Sequence, residues 1–183
     1  MDKYKNIMLK LKEKGIAFDC AMSPKEMVEA EKFYDISFPV ELQKLYSLGL
    51  PVSKGFYNWR DMSSKNISLI KNALETPIKG LQLDLENGDF WCESWGLQPD
   101  NIEEAQSILL KHYNNAPKLM PIYSHRYIPF IPDSEEVPVF SIMGSDIVYY
   151  GENLIAYLET EFKIREYDNN MNCQYINFWS DLL

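Results

Sequence analysis

A chain of 183 residues with 46% hydrophobic and 14% aromatic content can bury a sizeable core, which excludes a disordered or low-complexity protein. Its net charge of −9 excludes a nucleic-acid binder of the usual basic kind. No apolar run approaches the roughly 20 residues of a membrane helix, and the opening MDKYKNIMLKLKEKG is charged throughout, unlike a secretory signal, so the expected compartment is the cytoplasm.

Tyr4, Ile7, Met8 and Leu11 fall on one side of a helix that Gly15 ends, with lysines elsewhere. One basic helix on an acidic chain is expected to dock on its own domain. MSPKEM starts a second helix, running to about Tyr34: Ser23 caps, Pro24 suits the first position and Glu26 completes a capping box. Met22 and Met27 stand where a hydrophobic staple closes. Pro39 opens a third helix with Leu42, Leu45 and Tyr46 on one face, and a fourth is expected from Ser64 to Leu74, stopped before Pro77.

The period then changes. Leu81, Leu83 and Leu85 alternate with polar residues and Asn87-Gly88 is a hairpin signal, so two antiparallel strands are predicted at 80–86 and 89–92. Asp100 and Glu103 start a helix presenting Ile102, Ala105, Leu109 and Tyr113. Pro121, Pro129 and Pro132 confine the following strands to short or edge positions. Two strands, Val137–Ile142 and Asp146–Tyr150, meet through Met143-Gly144-Ser145, and Asn153 caps a helix with Leu154, Leu158 and Phe162. Tyr175, Phe178, Trp179 and Leu182 predict a C-terminal helix. Helices followed by hairpin-linked strands imply a single α+β domain, with a largely antiparallel central sheet of about four to six strands.

The sequence holds no phosphate loop, dinucleotide fingerprint or H-E-x-x-H zinc motif. Cys20, Cys92 and Cys173 are widely spaced, no C-x-x-C occurs, and only His112 and His125 could add imidazole ligands, so free, mostly buried thiols and no metal or cofactor are expected. Ser141, Ser145 and Asp146 surround a glycine, but FSIMG is not a nucleophile elbow and lies in an alternating strand. His125-Arg126 admits two accounts: an anion clamp beside a titrating imidazole, or a satisfied pair tying a proline-rich strand to a buried carboxylate or carbonyl. The second is favoured, because spacing supplies no further catalytic group.

Charge is unevenly placed. Residues 1–14 carry five lysines against Asp2 and Glu13, a net +3 that leaves −12 for the rest of the chain. Two windows lack Lys and Arg. Residues 81–110 hold seven carboxylates (Asp84, Glu86, Asp89, Glu93, Asp100, Glu103, Glu104), and residues 127–162 hold seven more (Asp133, Glu135, Glu136, Asp146, Glu152, Glu159, Glu161). Such surfaces repel nucleic acid and attract basic proteins. The aromatics of FYNW (56–59) and FWCESW (90–95) either anchor a partner or sugar, or fill the core, and at least two of the four tryptophans are expected inside. Candidate partner-binding residues are therefore Asp84, Glu86, Asp89, Trp91, Glu93, Trp95, His125, Arg126, Asp133, Glu135 and Glu136, with 84–104 the preferred surface.

EAEKFYDISFPVELQKLYSLG resembles the opening helical signature of the SUKH superfamily, which contains bacterial toxin-immunity proteins and fungal cell-wall-assembly regulators. GLQLDLENGDFWCESWG with Pro99, APKLMPIYSHRYIP, and PVFSIMGSDIVYYGENLIAYLETEF resemble its later blocks, so the likeness spans about 29–162. Where many members have an Asn-Gly-Gly-like turn, this chain reads SLGLPVSKGFYNW. The resemblance implies an α+β fold with a central antiparallel sheet, no catalytic activity and work done by binding. For bacterial members the implied partner is a cognate polymorphic toxin, often a nuclease, neutralised in the producing cell. The alternatives are a regulatory protein-binding scaffold in cell-wall or signalling control, as the fungal relatives suggest, and an enzyme or small-ligand binder using His125-Arg126.

Overall fold

In a computed structural model, which describes residues 2–168 and 170–183, the chain is α+β. Among the described residues six α-helices run as α1 (Lys3–Glu13), α2 (Pro24–Tyr34), α3 (Val40–Tyr46), α4 (Ser64–Asn87), α5 (Ile102–Tyr113) and α6 (Leu154–Glu161). A short antiparallel pair joins β1 (Phe18–Asp19) to β2 (Leu50–Pro51). The main sheet is an antiparallel meander of β3 (Leu119–Tyr123), β4 (Arg126–Pro129), β5 (Val139–Met143) and β6 (Asp146–Gly151), in that spatial order. No helix among the described residues is long and apolar enough to cross a membrane.

The local start signals act as expected. Ser23 and Glu26 form a reciprocal capping box, the Asn153 side chain accepts the Ala156 N–H at the head of α6, and Met22 and Met27 are both buried. Pro121 lies in β3, an edge strand, where its missing N–H disrupts no ladder. Gly144 and Ser145 join β5 to β6, and Gly144 takes φ +61°, a conformation that favours glycine at this turn position.

The two strands predicted at 80–86 and 89–92 do not exist. Helix α4 continues through Pro77 to Asn87, for 24 residues, and Gly88 is its left-handed C-cap rather than the tip of a hairpin. Ile70, Ala73, Pro77, Leu81 and Leu85 form its buried stripe, while Leu83 is 56% exposed. A proline in mid-helix leaves the carbonyl four residues earlier without its N–H. Here that carbonyl is Ala73, and the buried Tyr127 hydroxyl of β4 donates to it at 3.0 Å. Tyr127→Phe is expected to cost roughly 1–3 kcal/mol, read as a lowered urea midpoint, because it orphans a buried acceptor.

Successive strand residues face opposite ways. Tyr127 reaches α4 on one face of the sheet, and its neighbour Arg126 reaches Glu161 of α6 on the other. The sheet is thus sandwiched, with α5 packed on α4, and α1 packed on α6 and α3. The predicted C-terminal helix is only a 3-10 turn at Trp179–Leu182. Phe178 adopts φ +70°, which breaks helical continuation, and Tyr175 is exposed; Trp179 is instead pinned by donating its indole N–H to the Pro117 carbonyl at 2.8 Å. Helix α5 begins one residue later than Asp100 implied, because Asn101 provides the cap to Glu103 and Glu104, and Ile102 lies exposed.

Candidate functional site

Arg126 sits directly opposite Ser141 in the β4–β5 register. Its Nη1 donates to Ser141 Oγ at 2.7 Å, its Nε to Glu161 Oε2 at 3.2 Å, and its guanidinium lies 3.8 Å from the centre of the Tyr150 ring. The Arg126 and Glu161 side chains are only 11% and 18% exposed. A guanidinium bound on its edge and stacked on its face has little left to offer an anion. His125 lies in the β3–β4 turn, where Ser124 Oγ is within 3.3 Å of its Nδ1. Burial, then the Arg126 charge, hold its pKa below the ordinary imidazole value, with Glu161 acting in the opposite sense. The turn itself is clamped from segment 53–57: Gly55 accepts the Ser124 N–H, and the Tyr57 hydroxyl donates to the Ser124 carbonyl. Ser145 is engaged through its backbone N–H, which donates to Asp84 Oδ2 at 2.6 Å. These contacts tie Arg126 of β4 to Ser141 and Glu161, while the His125 ring meets the adjacent Ser124 hydroxyl.

The two acidic windows, equivalent in sequence, differ in the fold. In residues 127–162, five of the seven carboxylates have cationic partners. Lys3 pairs with Glu136 at 2.5 Å and Lys10 with Glu159 at 2.7 Å, so the basic helix α1 does dock on its own acidic domain. Lys44 pairs with Glu135, Arg126 with Glu161, and Arg165 with Glu152 at 3.7 Å. Asp133 stays exposed in the β4–β5 loop. Glu135 and Glu136, candidates for a partner surface, pair with Lys44 of α3 and Lys3 of α1 while their side chains stay exposed.

In residues 81–110, none of the seven carboxylates is in an ion pair among the described residues. Asp84 accepts the Ser145 N–H and Glu86 accepts from Gln106; Asp89, Glu93, Asp100, Glu103 and Glu104 are exposed. They gather where α4 ends and α5, packed beside it, begins. Glu103 and Glu104 in the first turn of α5 suit its dipole, but Glu86 at the end of α4 opposes that helix's dipole, and no cation stands in the last turn. An external cation would relieve this arrangement.

The loop between α4 and α5 is held by its aromatics. The Trp95 indole stacks with the His112 ring (5.0 Å, 12°) and the Phe178 ring (6.0 Å, 15°), with Phe90 and Trp91 edge-on. Trp91 donates its indole N–H to the Gly96 carbonyl at 2.8 Å. These aromatic contacts and the Trp91 hydrogen bond hold the loop against α5 and the C-terminal segment. What the loop presents is Leu97, 97% exposed amid the carboxylates. Sequence reading missed it, since a single leucine in SWGLQPD carries no periodic signal. Trp59 and Trp179 are core.

Cys20, Cys92 and Cys173 are free, but only Cys92 is buried; Cys20, just ahead of α2, is exposed. Among the described residues no group of three or more His, Cys, Asp or Glu is placed to hold a metal ion. No protein-family model, curated protein or solved structure matches this chain.

Proposed function

We propose that this chain is an immunity-type protein of the SUKH kind, which binds a cognate, basic, nuclease-type toxin in the cytoplasm and neutralises it without catalysis of its own. The observation that carries the reading is the unpaired acidic face from Asp84 to Glu104, with Leu97 exposed within it. A nuclease must be basic to hold phosphate, so an inhibitor with an uncompensated acidic face is steered to it rapidly. An exposed leucine supplies an apolar contact that charge alone lacks. The α+β fold with its antiparallel meander agrees with what the sequence resemblance implies.

Co-expression with the toxin encoded beside its gene is expected to relieve growth arrest. The triple change Glu86→Lys, Glu93→Lys and Glu103→Lys is expected to slow association about tenfold or more at low salt, with a weaker effect at high salt. Absence of a neighbouring toxin, or arrest that persists, counts against the reading. A pull-down returning several housekeeping proteins and no toxin would favour the scaffold alternative.

A further inference from the structure

Helix α3 carries an ionisable group into the core. Glu41, in its first turn, is 0% exposed. Its Oε1 receives the Leu154 N–H at the head of α6 at a long 3.4 Å, and its Oε2 has no hydrogen-bond partner among the described residues. The Tyr4 hydroxyl of α1 is also buried without a partner among the described residues, and burial, followed by the Glu41 charge, raises its pKa.

The surroundings offer Glu41 little compensation. From α1 come Lys3 and Tyr4, from the β4–β5 loop Glu135, Glu136 and the Val137 N–H, and from the α6 end Asn153 and the Leu154 N–H. Lys3 is bound to Glu136, Lys44 of α3 is bound to Glu135, and Asn153 donates to Glu136. Burial, reinforced by Glu136, therefore pushes the Glu41 carboxyl up to about 7, against the pull of the Leu154 and Val137 N–H groups and Lys3.

This spot lies under helix α1, whose Tyr4, Ile7 and Leu11 are buried where it packs on α3 and α6. We propose that Glu41 is a proton-linked latch for α1: a neutral carboxyl keeps the helix seated, and an ionised one weakens the seat so that α1 opens more often. Opening also withdraws Lys3 and Lys10 from Glu136 and Glu159, and so frees two carboxylates of the acidic window that are paired in the closed form.

The direction follows from proton linkage. The seated form holds the proton up to about pH 7, whereas the opened form, with Glu41 in water, holds it only to the ordinary value of 4.5. Seating is therefore strongest below that lower value, weakens as pH rises across the interval, and is constant above its upper end.

Amide hydrogen exchange of the intact protein from pH 5 to pH 8, corrected for intrinsic exchange rates, tests this. The opening constant of α1 is expected to rise by about tenfold per pH unit up to neutrality and then level off. Glu41→Gln should abolish this slope in α1, and the α1 amides should exchange through an opening of lower free energy than those of β4 and β5. A flat α1 profile in the wild type, α1 amides that exchange only as slowly as those of the sheet, or a slope that survives Glu41→Gln would each overturn the latch. If the variant fails to fold, the first two outcomes still decide.

Discussion

Arg126→Ala is expected to destabilise the protein by about 3 kcal/mol, because it strands Glu161 in a largely enclosed position without its cation. The loss reaches three elements. Ser141 of β5 loses its donor, the Tyr150 ring of β6 loses the guanidinium stacked on it, and α6 loses its ion-pair link to β4. In a two-state urea titration the midpoint should fall with little change in slope, and the melting temperature should drop by roughly 6–12 °C. Combining Arg126→Met with Glu161→Gln should recover part of the loss, since no unpaired charge is then left inside. An Arg126 that served chiefly to bind a ligand would behave otherwise: its removal would leave stability unchanged or improved. That result would reopen the anion-clamp account of His125-Arg126.

Trp59→Ala is expected to be at least as damaging, at about 3–5 kcal/mol. Trp59 is 1% exposed and meets Phe38 at 5.0 Å and Tyr34 at 5.6 Å, both edge-to-face. Its indole N–H donates to the buried Tyr46 hydroxyl at 3.2 Å, so truncation leaves both a large void and an unsatisfied polar atom. Trp59→Phe should restore much of the packing but not that hydrogen bond. Calorimetry or urea unfolding of the two variants separates these contributions. Were the aromatics of 56–59 a sugar platform or partner anchor, Trp59→Ala would weaken binding and spare the fold.

These predictions give the acidic face at 84–104 its meaning. The polar groups that first invite a chemical reading, Ser141, Ser145 and Arg126, are held in contacts that maintain the sheet. Five of the seven carboxylates of the second window are matched by lysines from α1 and α3 and by two arginines. The face formed by the end of α4, the following loop and the start of α5 keeps its charge unpaired, and a long ordered loop of this kind is commonly functional.

Much of the fold could be read along the chain, because its cues act within a few residues. The Ser23–Glu26 capping box, the Asn153 cap and the Gly144 turn stand where their residues place them. Residues 81–85 show the limit of such reading. Leu81 and Leu85 satisfy both a strand's alternation and a helix's four-residue spacing, and Leu83 tips a reader towards the strand. The helix prevails because α5 and the sheet cover the Ile70–Leu85 stripe, and because a distant tyrosine satisfies the carbonyl that Pro77 leaves free. The candidate site divides in the same way. Composition reveals two acidic windows, but a carboxylate's partner is a matter of distance in space: Lys3 and Glu136 stand 133 residues apart, and Lys10 and Glu159 stand 149 apart. Which window remains charged, and that Glu41 is sealed beneath α1, follow from long-range packing, which no local pattern of residues encodes.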